Sequence, residues 1–195
     1  KVKIYNFVRL LIFPTGWFIK IISKKKGNML CLGCGYGTIE TLIALNNPKL
    51  NILATDLQKE RIKCARQSTK NVPNIEFKSE DVVNIKDGHN KYDYIVLIDL
   101  LHHLPDGEQL ILIKKLTLML ANHGTIIIKD VDVRPKWKYF WNYIHDYLMA
   151  GLPLNYYSSN LYRKYFTSES MASDLFIPTP NHSPYNHYCL IARKN

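Results

Sequence analysis

The sequence has only four cysteines, Cys31, Cys34, Cys64 and Cys189, irregularly spaced over 195 residues. That is too few for the disulfide framework of a small secreted scaffold, so a reducing, cytoplasmic setting is expected. Nine glycines and nine prolines exclude a fibrous or low-complexity chain, and no repeat occurs. No apolar run reaches the roughly 20 residues of a membrane-spanning helix. The most apolar stretch, Phe7 to Ile22, is broken by Arg9, Pro14, Gly16 and Lys20. It ends in Ser23-Lys24-Lys25-Lys26 where a signal peptide would carry small residues, which argues against one. Acids are missing altogether from residues 1–28.

What is present is the composition of one globular domain, with 47% hydrophobic and 22% charged residues. A chain of this length buries a core without disulfides or metal. Its net charge of +10 favours anionic partners such as phosphates, nucleic acid or a lipid surface. Most of that surplus lies in the first 28 residues, and the rest of the chain is close to balanced. Residues 1–27 are expected to form a helical cap on the domain. Phe7, Leu11, Phe13, Trp17 and Phe18 beside Lys24, Lys25 and Lys26 also give this segment the makings of a peripheral contact with an anionic membrane.

From Asn28 the pattern is regular. Strands are expected at Met29–Leu32, Asn51–Thr55, Asn74–Lys78, Tyr92–Ile98 and Thr125–Lys129. Helices are expected at Ile39–Leu45, Gln58–Lys70 and Asp106–Leu120. Strands alternating with helices predict a doubly wound α/β fold with a mostly parallel sheet. Beyond it, Trp137–Met149 reads as a helix, Glu169–Asp174 as a shorter helix and His187–Ala192 as a last strand, which makes a shortened C-terminal part. Residues 28–131 then form a core and 132–195 the segment that completes it.

The chemistry starts where the first strand ends, at Gly33-Cys34-Gly35-Tyr36-Gly37. Glycines let the chain turn sharply and let a ligand lie against bare backbone, and the following helix offers unpaired N–H groups. Asp56 closes the second strand 19 residues after Gly37, where a carboxylate can hold two ribose hydroxyls; the same acid would also suit a helix cap. A dinucleotide loop would carry a sixth-position glycine, and here that position is Thr38.

The block Leu30-Cys31-Leu32-Gly33-Cys34-Gly35-Tyr36-Gly37 resembles the first motif of the class I S-adenosylmethionine-dependent methyltransferases, and Ala54-Thr55-Asp56-Leu57 resembles their ribose-binding second. Ser79-Glu80-Asp81-Val82 is similar to the family's adenine-contacting acid. Asp93 to Leu104 resembles the fourth motif and Leu120 to Ile128 the approach to strand five. The resemblance implies S-adenosylmethionine as cofactor, held by Gly33, Cys34, Gly35, Gly37, Asp56, Leu57, Asp81, Val82, Asp99 and Leu100. It departs at Cys31, where the family carries an acid that helps hold the methionine amino group. Restoring the acid by Cys31→Asp is expected to tighten binding. Cys31 and Cys34 form C-x-x-C, but no second ligand pair accompanies them, and no metal is expected.

On the acceptor side, His102 and His103 follow Asp99 at the carboxyl edge of the sheet. His103 and, from the later helix, His145 are candidate general bases. His102, Asp130, Trp137, Trp141 and Tyr185 are candidate substrate contacts. Trp137, Trp141 and His145 recur every four residues and are expected to share one helix face. The loop Asn181 to His187 is expected either to close over the acceptor or to make the final turn. The stretch from Lys129 to Trp137 looks like that of small-molecule enzymes of lipid, quinone and polyketide type, so the expected acceptor is small, aromatic or lipid-like, methylated at oxygen. Asp99-Leu100-Leu101-His102 departs from the Asp/Asn-Pro-Pro-aromatic motif of nucleobase amino methyltransferases, against a nucleic-acid substrate. An RNA or protein methyltransferase and a catalytically silent cofactor-binding protein are the alternatives. The sequence sets no oligomeric state.

Overall fold

The structure, a computed structural model, describes residues 15–85, 91–150, 154–177 and 184–195. Helix α1 (Thr15–Ile22) leads into β1 (Gly27–Leu32), α2 (Thr38–Asn46), β2 (Leu50–Asp56), α3 (Lys59–Ser68) and β3 (Ile75–Ser79). Strand β4 (Tyr92–Ile98), α4 (Glu108–Met119) and β5 (Leu120–Val131) follow. The chain continues through α5 (Lys136–Ala150), α6 (Ser159–Ser168), β6 (Ala172–Phe176) and β7 (His187–Arg193). The seven strands form one sheet in the order β3-β2-β1-β4-β5-β7-β6, parallel except for β7.

Alternating side chains divide the core between two faces, because successive residues of a strand point to opposite sides. Met29 and Cys31 of β1 and Val96 and Ile98 of β4 face one cluster with Phe18 and Ile22 of α1, Ile39 and Ile43 of α2 and Ile62 of α3. Leu30, Leu32, Ile95 and Leu97 face the other, with Leu112 and Leu116 of α4 and Tyr162 and Phe166 of α6. The central strands are buried on both sides, so they read as nearly unbroken apolar runs. Helix α1 packs on the first of these faces through Phe18 and Ile22, with Trp17 edge-on to Phe176 at 5.8 Å between ring centroids. Phe7, Leu11 and Phe13 lie outside the described residues.

Three expectations about the chain's second half are corrected. The helix expected at Glu169–Asp174 lies earlier, at α6, where the Ser158 hydroxyl caps the first turn by accepting from the Asn160 N–H (3.3 Å). Ser170, at φ 58, turns the chain away from helix, and Ala172–Phe176 becomes an edge strand. The C-terminal part is therefore not shortened, since β6 and β7 bring the sheet to seven strands. Strand β5 also starts five residues sooner than expected, with an irregular register opposite Tyr92 and Tyr94.

Candidate active site

The strand order reverses at β1, whose neighbours β2 and β4 lie on opposite sides. The loops leaving β1 and β4 diverge there and open a crevice at the carboxyl ends of the strands, the usual ligand position in such sheets. The glycine loop lines one side. Gly33 and Gly37 sit at φ 70 and φ 72; a Cβ would meet the Leu100 side chain at 2.9 Å in the first case and the Phe77 ring at 2.4 Å in the second. Only glycine lets this loop lie so close to Leu100 beyond β4 and to Phe77 of β3.

Asp56, buried at the end of β2, fastens the loop. One carboxylate oxygen accepts from the Gly35 N–H (2.8 Å) and the other from the Gln58 N–H (2.9 Å). The helix-cap role expected for this acid is not what it performs: Gln58 stands at the N-cap of α3, and Asp56 holds the turn before it, each oxygen keeping a second lone pair for a ligand hydroxyl. Leu57 beside it is exposed and Val82 is buried. Asp81 accepts from the Val83 N–H (3.0 Å) and the Asn84 side chain (3.0 Å), which sets the short turn after β3.

Cys31 and Cys34 are buried, and burial followed by the nearby Glu40 charge pushes both thiols well up. They are protonated packing residues, not thiolates. Glu40, from the first turn of α2, is itself buried. A carboxylate therefore stands close to Cys31 although the strand supplies none. Sequence reasoning missed it, and the signal was an acid among the apolar positions of α2.

Across the crevice, Asp99 sits at φ 51 after β4. Leu100 packs against Gly33. The short turn Leu101–His103 follows, anchored by Asp130, which accepts from the Leu101 N–H (3.0 Å). His102 is buried with Nδ1 2.5 Å from one Asp130 oxygen and Nε2 3.6 Å from Asp146. Burial opposes its charge, but Asp130, Asp146 and Asp99 outweigh it and raise its pKa. Its ring stacks on Tyr156 (5.0 Å, 5°), whose hydroxyl donates to Asp146. His103, 4.1 Å from His102 between centroids, is brought down to about 4 by burial and by its neighbour's charge. His103 is therefore neutral at ordinary pH.

Helix α5 adds Tyr139 and Tyr143, both ringed around Tyr156, and His145, which contacts Asp146 (3.2 Å) and meets Tyr185 edge-on at 5.5 Å. Tyr185 in turn stacks on His187 (5.6 Å, 24°), whose pKa is brought down to about 3 by burial and Lys129. His102, His103, Asp130, His145 and Tyr185 thus come together. Trp137 and Trp141 do not join them: both are at least half exposed on the outward side of α5. At about 100° per residue His145 lies about 40° round the helix from Trp141 and about 80° from Trp137, at the edge of the inward side. Asp146 and Tyr156 were missed; Lys129 and His187 were singled out only as ends of the Lys129 to Trp137 stretch and the Asn181 to His187 loop. Residues 181–183 of the loop Asn181 to His187, expected to close over the acceptor or to make the final turn, lie outside the described residues. Among the described residues no cluster suits a metal ion and no helix is long and apolar enough to cross a membrane.

A glycine loop and a strand-end acid at a β1/β4 crevice, in a sheet of this order with β7 reversed, define an α/β fold built around a nucleoside cofactor. Residues 29–124 match the family model of a methyltransferase domain. No curated protein matches the chain significantly. Among solved structures, the YcgJ protein of Bacillus subtilis shares 16% identity at a TM-score of 0.71, covering 93% of this chain and 98% of that one. A SAM-dependent methyltransferase from Aquifex aeolicus shares 16% at 0.69, with 96% and 93% covered. Magnesium protoporphyrin IX methyltransferase from Synechocystis, solved with SAH, shares 17% at 0.71, with 93% and 80% covered. The chain has the fold of the S-adenosylmethionine-dependent methyltransferases it resembles, and residues 29–124 carry a methyltransferase domain.

Proposed function

We propose that this enzyme transfers a methyl group from S-adenosylmethionine to an oxygen of a small aromatic or lipid-like acceptor. The residues of the crevice fit the cofactor. The loop from Gly33 to Gly37 offers bare backbone, Asp56 keeps lone pairs for the ribose hydroxyls, and Leu57, Asp81 and Val82, which follow β2 and β3, are the residues that would hold the adenine. Asp99, Leu100 and the Glu40 carboxylate beside Cys31 would hold the amino-acid end. When bound, the cofactor supplies a sulfonium methyl group open to in-line attack.

The observation that carries the acceptor reading is the group of Tyr139, Tyr143, Tyr156, His145 and Tyr185, with Tyr156 stacked on His102, whose ring lies beside His103. Flat rings suit a flat or apolar molecule. His103, neutral because its pKa lies near 4, takes the proton from the acceptor hydroxyl oxygen. His102, whose pKa is raised by Asp130 and Asp146, is held by Asp130 and packs against His103 as its positioning neighbour. Orientation and exclusion of water do the remaining work.

The test joins titration calorimetry with S-adenosylmethionine to a methyl-transfer assay over phenolic, carboxylate and lipid-headed acceptors. Binding without transfer to any acceptor would make the chain a silent cofactor binder, and transfer to RNA or protein would replace the acceptor class. His103→Ala should lower turnover by about 10²-fold or more with cofactor affinity unchanged. Equal turnover would leave proximity as the sole catalytic contribution.

A further inference from the structure

We propose that the outer face of α5 docks on an anionic lipid surface. The helix is amphipathic in the reverse of the usual sense. Its inner side buries Lys138 and Asn142 and half-buries Tyr139, Tyr143, His145 and Asp146. Its outer side presents Trp137, Phe140, Trp141, Ile144, Tyr147 and Leu148, each between 40% and 74% exposed. These positions recur at three- and four-residue intervals and form one continuous stripe. A contiguous apolar patch of this kind on a soluble surface marks an interaction site.

The charges around the stripe choose the occupant. Arg134 and Lys136 are exposed at its start. Asp146, the helix's one acid, is drawn inward by Tyr156 and His145. A second copy of this face would bring no carboxylate to Arg134 and Lys136, whereas phosphate headgroups supply the opposite charge and the acyl boundary takes the rings. Tryptophan and tyrosine with flanking basic residues are the side chains that settle at a bilayer interface. The same helix forms the acceptor wall on its inner side, so docking would set the crevice against the membrane. The lipid contact itself does not depend on the methyl-transfer reading and is measured without cofactor.

The experiment uses the full chain with vesicles of phosphatidylcholine alone or mixed with phosphatidylglycerol. Sedimentation should show binding to the anionic vesicles that weakens with salt. Arg134→Ala and Lys136→Ala should each weaken it about fivefold. Trp141→Ser with Leu148→Ser should weaken it at least about tenfold with the circular dichroism unchanged. In a Trp17→Phe chain the two remaining tryptophans should be quenched by brominated lipid. Binding that survives these changes but is lost with Lys24, Lys25 and Lys26→Ala overturns the proposal in favour of the N-terminal segment. Absence of binding overturns it too. A dimer in light scattering that Trp141→Ser dissolves then assigns the face to a second copy, and emission already shielded from acrylamide without vesicles assigns it to the chain's own residues.

Discussion

Asp99 is fastened twice to Lys129: its backbone N–H donates to the Lys129 carbonyl at 2.9 Å, and its carboxylate lies 2.5 Å from the Lys129 ammonium. The first bond continues the pairing of β4 with β5, and the second holds a non-glycine residue at φ 51 at the mouth of the crevice. Lys129 is almost wholly buried, while the Asp99 side chain is 30% exposed. Left-handed backbone at such a residue is strained, and the pair opposes the strain.

Lys129→Met should therefore destabilise the protein. Removing one partner of a buried pair costs about 3 to 5 kcal/mol, and the exposure of Asp99 places this case at the lower end. Urea denaturation measures it. A loss below about 1 kcal/mol would show that the pair does not hold the turn.

Asp56→Ala should weaken cofactor binding by at least about tenfold in calorimetry, since charge-assisted hydrogen bonds contribute about 1.5 to 3 kcal/mol each. The two N–H groups that Asp56 accepts from, Gly35 and Gln58, lose their partner as well. The empty protein should then melt lower, by an amount equivalent to about 1 to 3 kcal/mol. Unchanged affinity would remove Asp56 from the ribose site and leave it only its turn role.

Cys31→Asp, expected from sequence to tighten cofactor binding, is now expected to destabilise the chain, because a second buried carboxylate would face Glu40. Like charges at a buried site raise one pKa strongly and oppose folding near neutral pH. Pairing Cys31→Asp with Glu40→Gln should restore stability and keep cofactor affinity. Tighter binding by the single variant, with an unchanged melting temperature, would contradict this.

Stability should fall with acid between about pH 6.5 and pH 4. His103 and His187 are brought down to about 4 and about 3 in the fold, so in this window the unfolded chain binds two protons that the folded chain refuses. Each contributes a slope of about 1.4 kcal/mol per pH unit. His102 runs the other way: its raised pKa adds stability fully present below about 6.5 and lost as pH rises through the folded value, so it does not offset the fall. Urea midpoints at about pH 7 and pH 5 should differ accordingly, and equal midpoints would refute the buried neutral pair. With His103 as base, the acid limb of turnover belongs near pH 4 and not near 6.5.

The alternation of strand and helix from Met29 to Lys129, the glycine loop and Asp56 were all legible in the sequence. They rest on local signals: buried parallel strands need unbroken apolar runs, and a tight loop under a ligand needs glycine. Beyond residue 150 the signals are weaker. Strand β6 lies at the sheet's edge with a polar alternation that resembles a loop, and α6 is defined by Tyr162 and Phe166 only once the sheet is present to bury them. The same limit governs the site. The four-residue spacing put Trp137, Trp141 and His145 on one helix face, but which side of α5 turns inward was decided by the sheet and by Tyr156, which draws Asp146 and the tyrosines in and leaves the tryptophans out. Glu40 beside Cys31, Lys129 on Asp99 and Asp130 on His102 join residues between 9 and 30 positions apart. Such pairings are made by packing, and no local pattern encodes them.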